Sequence, residues 1–195
     1  MSTELTASEI IAKDTIARYL RQSNMPELHA KKTVQLQPGL FCDCLSSLQQ
    51  KRGKGFIHAL VGPRGVGKTQ LACELIRSYC NAQRTAYYTT AISFFIKARE
   101  SMKKDSEESL SDFMERITKK RLLVIEEASR RSQTEFENNL LFEIVNGRYN
   151  AMVDTLLIDN CTPEGFNQSM DPSIISRMNE TGGIISCDGW TNHRQ

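Results

Sequence analysis

Eight consecutive residues, Gly62-Pro63-Arg64-Gly65-Val66-Gly67-Lys68-Thr69, constrain this chain more than any other feature. They satisfy the phosphate-loop pattern and stand between an apolar run, Phe56 to Val61, and a segment in which Leu71, Ala72, Leu75, Ile76 and Tyr79 recur at helical spacing. The junction of strand and helix is where such a loop works. Its glycines turn successive backbone N–H groups inward around phosphates, Lys68 reaches the terminal phosphates as a point charge, and the Thr69 hydroxyl ligates Mg²⁺. A glycine-rich turn without a ligand is the competing reading, and the strand–loop–helix placement argues against it.

From Phe56 onward the pattern alternates strand and helix, which predicts an α/β fold with a parallel sheet covered on both faces. The expected strands are Phe56 to Val61, Ala86 to Thr89, Leu122 to Ile125, Thr155 to Asp159 and Ile184 to Ser186. Helices are expected from Gly67, over Ser93 to Met102, over Leu110 to Ile117, after a capping box Ser132-x-x-Glu135, and from the Asp171-Pro172 cap to about Asn179. Before Phe56 the chain reads differently. Thr6-x-x-Glu9 caps a helix over 7–21 that Asn24-Met25-Pro26 ends, and Leu40, Phe41, Leu45 and Leu48 suggest another packed on the main domain. The expected organisation is a helical N-terminal extension over 1–54, a candidate partner-binding segment, and a nucleotide-binding domain over 55–195.

Composition removes several classes of function. The 195 residues include 39% hydrophobic and 25% charged types, ordinary for a globular chain. The longest strongly apolar run, Leu122 to Ile125, is far shorter than the roughly 20 residues a spanning helix needs. No targeting segment is legible, so a cytoplasmic protein without a membrane partner is expected. A net charge of +2 makes nucleic-acid binding depend on a local patch. Six cysteines without secretory context are expected as reduced thiols, and their spacing does not fit a zinc site.

Nucleotide chemistry needs a carboxylate at the end of a neighbouring buried strand. Leu122-Leu123-Val124-Ile125-Glu126-Glu127 supplies two: Glu126 to organise Mg²⁺ through its water shell and Glu127 to polarise an attacking water. Asn160, at the end of the fourth strand, could bond that water or a terminal phosphate, or be a turn residue. Arg177 reads on its own as a solvated arginine and Arg194 as tail.

In the order Gly62–Thr69, Leu122–Glu127, Asn160, Ile174-Ile175-Ser176-Arg177-Met178 and Trp190-Thr191-Asn192-His193-Arg194, the chain resembles the AAA+ ATPases of the bacterial and phage helicase-loader family, the DnaC and DnaI type, with the IstB transposition ATPases as relatives. The resemblance implies a P-loop NTPase of three α/β/α layers with a five-stranded parallel sheet and no C-terminal lid domain. It implies that Asn160 is sensor 1, that Arg177 acts in trans as an arginine finger, and that Arg194 is sensor 2. It also implies ATP and Mg²⁺ as cofactors, an ATP-dependent homo-oligomer in a ring or spiral, and a replicative helicase and single-stranded DNA as partners. The family's metal-associated acid is typically Asp. Glu126 is one methylene longer, so hydrolysis is expected to be slow.

For DNA the candidates are Lys97, Arg99, Lys103 and Lys104, near Phe94 and Phe95. The competing reading makes Phe94, Phe95 and Ile96 core and the lysines a solvated face. Arg130 and Arg131 are similar candidates. Other functional readings are an IstB-like accessory factor on duplex DNA, a small-molecule kinase, and an adaptor that binds ATP without hydrolysing it.

Overall fold

Leu122, Leu123, Val124 and Ile125 are all fully buried, which requires cover on both faces of the strand they form. Their side chains alternate between two layers. Leu123 and Ile125 join Ile57, Ala59, Val61 and Leu157 in one core cluster, while Leu122 and Val124 join Leu60, Leu156 and Ile158 in the other. The computed structural model describes residues 6–32 and 39–191. In chain order the elements are α1 (Ala7–Gln22), α2 (Glu27–Ala30), α3 (Leu40–Gln50), β1 (Ile57–Val61), α4 (Lys68–Asn81), β2 (Ala86–Thr90), α5 (Ala91–Glu100), α6 (Leu110–Thr118), β3 (Leu122–Glu126), α7 (Glu135–Asn150), β4 (Asp154–Ile158), α8 (Pro163–Ser169), α9 (Pro172–Thr181) and β5 (Gly183–Ser186). The five strands form one parallel sheet in the order β2-β3-β4-β1-β5. Helices α5, α6, α7 and α9 cover one face, and α3 and α4 the other. This is the α/β/α, five-stranded parallel architecture expected from the sequence.

Because β1 pairs with β4 on one side and β5 on the other, the chain leaves its carboxyl end towards β2 at the far edge. Such switch points open a crevice at the strand ends. The phosphate loop lies there.

Several local expectations are corrected. The cap of α7 is Thr134, whose hydroxyl accepts from Glu137 N at 3.3 Å. Gln133 adopts φ 53 and turns the chain after Ser132, so the Ser132-x-x-Glu135 box does not form. α5 begins at Ala91 because Thr90 caps it through Ser93 N. On this helix Phe94 and Phe95 are core, but Ile96 is 48% exposed, one turn after exposed Ile92. Helices α2 and α8 have no counterpart in the sequence reading; α8 is capped by Thr162 ahead of Pro163.

Two devices close the sheet. The β2 edge is partly covered by the turn after α1, where Tyr88 N donates to Ser23 O at 2.8 Å and Asn24 Nδ2 donates to Tyr88 O at 2.9 Å. An unpaired strand edge invites association, and this cover blunts it. Fully buried Arg148 donates to Thr155 Oγ1 and to the carbonyls of Ile117, Thr118 and Lys120, which fixes the entry of β3. Burial pulls its guanidinium down to about 9.

Candidate nucleotide-binding site

The loop after β1 is shaped by three glycines in the left-handed region, Gly62 (φ 141), Gly65 (φ 87) and Gly67 (φ 94). At Gly62 a side chain would also press on Cys187, 3.2 Å from the Cβ position, so the loop passes close to the segment that follows β5. Gly67 precedes α4, whose first residues are Lys68 and Thr69, so the free N–H groups of the helix start face the loop. Lys68 is 5% exposed, and its Nζ donates to Gly62 O (2.8 Å) and Pro63 O (2.7 Å). Burial lowers its proton affinity, opposed by the nearby groups of Cys187, Glu126, Asp159 and Cys161. Burial also pushes the Cys187 thiol up to about 12 and Cys161 up to about 11, so both stay protonated at neutral pH.

Glu126 ends β3 two strands away and reaches the loop. Thr69 Oγ1 donates to Glu126 Oε1 at 2.6 Å, and the Tyr88 hydroxyl on β2 donates to Oε2. Tyr88 is buried, and desolvation followed by its bond to Glu126 raises its pKa. The extra methylene of Glu126 thus places one oxygen on the loop threonine and the other on a strand tyrosine. The donor set fits Mg²⁺ bound with phosphate: a threonine hydroxyl and an acid already in contact, beside a lysine and backbone amides.

Glu127 follows with φ 56, and its carboxylate pairs with Arg130 at 3.0 Å. Asn160 is exposed, two residues beyond β4. Between them lies a residue that the sequence reading passed over. Asp159 is 5% exposed; its Oδ2 accepts from Ser129 N (2.6 Å) and its Oδ1 from Asn160 N (2.7 Å). One buried carboxylate therefore ties the loop carrying Glu127 to the loop carrying Asn160. The signal was the Ile158-Asp159-Asn160 run itself, where an acid ends an apolar strand.

The remaining candidates are dispersed. Arg177 stands on α9 against its own chain, with Nη1 donating to Ser173 O at 3.0 Å and its guanidinium over the rings of Phe142 (5.1 Å) and Tyr149 (5.5 Å). Its Nε is buried without a hydrogen-bond partner. Arg194 lies outside the described residues. Lys97 donates to Tyr87 OH at 3.1 Å, and Arg99 is paired with buried Glu137 at 2.7 Å, whereas Lys103 and Lys104 are exposed. Arg130 is engaged with Glu127, and Arg131 donates to Ala128 O and Ser169 O.

A family model described as IstB-like ATP binding protein matches residues 8–177. The chain belongs to the IstB-like ATP-binding family. For this IstB-like protein, ATP is therefore the nucleotide, and the fold is that of the AAA+ ATPases. A solved DNA replication initiation factor aligns over 78% of the chain and 47% of its own length, with TM-score 0.67 and 18% identity. The DnaC helicase loader aligns over 87% of this chain and 98% of its own, with TM-score 0.66 and 16% identity. DnaI aligns over 91% and 93%, with TM-score 0.63 and 15% identity. The chain thus spans about half the length of the initiation factor and nearly all of the two others. No curated protein matches it significantly. Among the described residues, no helix is long and apolar enough to cross a membrane.

Proposed function

We propose that this IstB-like protein is an ATP-dependent helicase loader that hydrolyses ATP slowly and places a replicative helicase on single-stranded DNA. The observation that carries the reading is the Thr69–Glu126 contact beside Lys68, in a chain that superposes on nearly the whole of a DnaC helicase loader. The amides of 62–67 and Lys68 hold the phosphates. Thr69 and, through water, Glu126 would hold Mg²⁺, whose charge would offset the charge that develops on a transferred phosphoryl group. Glu127 leaves Arg130 to polarise the attacking water, and Asn160 bonds that water or the terminal phosphate. Arg177 leaves its two aromatic rings to reach the nucleotide of the neighbouring subunit, while Arg194 contacts the nucleotide of its own. The oligomer is a ring or spiral held by ATP, and residues 1–54 bind the helicase. The protein works in the cytoplasm of a bacterium or of a phage-infected host.

The family match favours a second reading, an IstB-like accessory ATPase of transposition acting on duplex DNA. Strand displacement by the replicative helicase of the source cell on a closed single-stranded circle separates them. Loading predicts displacement that requires this protein and ATP and is lost in Lys68→Ala. No stimulation, together with ATP-dependent coating of long duplex DNA, would replace the loader reading with the second.

A further inference from the structure

We propose that the cavity at the entry of β2 and β3 binds the phosphodiester backbone of a nucleic acid, at a site separate from the ATP loop and from the Lys97–Lys104 face. The cavity holds about 530 Å³, and Tyr19, Gly53, Arg84, Thr85 and Arg121 are among the residues that line it. No lining residue is acidic. Three segments enter the sheet here, 51–55 before β1, 82–85 before β2 and 119–121 before β3. They carry Lys51, Arg52, Lys54, Arg84, Lys119, Lys120 and Arg121 and no Asp or Glu, in a chain whose net charge is only +2.

Part of this charge is already engaged. Lys119 pairs with Glu115, Arg52 donates to Ser78 O at 2.8 Å, and Lys51 contacts His58. Lys54, Arg84 and Arg121 are exposed and carry no ion pair among the described residues. The backbone under them is fixed. Leu122 N donates to Thr85 O at 3.1 Å and Arg121 N to Thr85 Oγ1 at 3.3 Å, so the two arginines project from adjacent strand entries. The Arg84 guanidinium lies across Gly53, where φ is 78 and a Cβ would collide with it. Two guanidinium-bearing residues that line one polar hollow can each take a phosphate oxygen, and such contacts carry no base readout, so binding is expected to be indifferent to sequence. Five-residue strands separate this pole from the ATP loop by roughly 16 Å. Half of the Lys97–Lys104 set is committed to Tyr87 and Glu137, whereas Arg84 and Arg121 line this cavity without an ion pair among the described residues.

The test is fluorescence anisotropy of labelled duplex and single-stranded oligonucleotides with the full chain over a salt series. The wild type is compared with Arg84→Glu/Arg121→Glu, Lys103→Glu/Lys104→Glu and the charge-matched Lys31→Glu/Lys32→Glu. A fluorescent ATP analogue reports whether each variant is folded. The expected result is a loss of at least tenfold in nucleic-acid affinity for the Arg84/Arg121 variant. Its log–log salt slope on duplex should be shallower by about 2, near 0.9 per phosphate contact, with ATP-analogue affinity unchanged. The two lysine variants should lose less than threefold. If charge reversal unfolds the chain, Arg84→Gln/Arg121→Gln carries the test with the same ordering. Unchanged affinity in the arginine variant, an equal loss in either lysine variant, or a wild type that binds neither oligonucleotide would overturn the site. Complete displacement of DNA by millimolar inorganic phosphate would also overturn it and assign the cavity to a small phosphorylated ligand. A wild type that binds no single strand also counts against the loader reading; the other failures overturn this site alone and leave ATP binding untouched.

Discussion

Glu126 shows how one methylene changes a site. Its two oxygens are taken by two hydroxyls, Thr69 on the loop and Tyr88 on the edge strand. A hydrogen bond to a charged group contributes about 1.5–3 kcal/mol. Tyr88→Phe is therefore expected to leave ATP affinity within about threefold while lowering turnover roughly tenfold and raising the Mg²⁺ concentration needed; equal effects on binding and turnover would show that Tyr88 does not position the acid. Lys68→Ala is expected to abolish measurable binding of the ATP analogue. His58 offers a pH test. Its Nδ1 donates to Gly183 O at 3.1 Å, its Nε2 faces the Lys51 ammonium at 3.4 Å, and burial pulls its pKa below 6.5. The unfolded chain thus binds a proton that the folded chain resists, so stability is complete above 6.5 and falls as pH drops below it. Urea midpoints between pH 7 and pH 5 should fall in the wild type and fall less in His58→Leu. Lys68, Thr69 and Glu126 were legible because their chemistry is written in local spacing. Asp159 had a local signal in the acid that ends an apolar strand, but Tyr88 had none, because its role comes from a neighbour across the sheet, and sheet register is not printed in any short window of sequence.

At the scale of elements, buried strands and capped helices announced themselves, and errors arose where two signals competed. Ser132 and Thr134 both offer a hydroxyl, and backbone geometry at Gln133 decides for Thr134. Thr134→Ala should cost about 1 kcal/mol, the usual loss for a cap, and Ser132→Ala should change stability little; the reverse order in urea denaturation would restore the expected capping box. The Asn24-Met25-Pro26 helix stop was legible, but the second task of the turn at Ser23 and Asn24, covering the β2 edge at Tyr88, depends on a strand order that periodicity does not encode. This turn also joins the first helix to the residue that holds Glu126. Asn24→Ala removes one bond to Tyr88 O and places alanine at φ 55, so a loss of about 2 kcal/mol is expected, with turnover falling alongside.

Across the whole molecule, charge and chemistry separate along the strands. Glu126, Glu127 and Asp159 stand at the carboxyl ends beside the phosphate loop, and the basic segments stand at the opposite ends. Fold class and the ATP loop follow from the sequence; which surface meets a partner does not, because exposed side chains leave no periodic trace. Arg177 is the residue on which the oligomeric reading turns. Its place over Phe142 and Tyr149 makes Arg177→Ala a change in packing as well as in charge, so Arg177→Lys, which keeps a cation, accompanies it. The most direct measurement is phosphate release from ATP against protein concentration, with and without single-stranded DNA, for the wild type, Lys68→Ala, Arg177→Ala and Arg177→Lys. An ATP site completed by the neighbouring subunit predicts a rate that rises more steeply than protein concentration, responds to DNA, vanishes in Lys68→Ala and Arg177→Ala, and returns in part with Arg177→Lys. A rate per protein that is independent of concentration, DNA and Arg177 would contradict it.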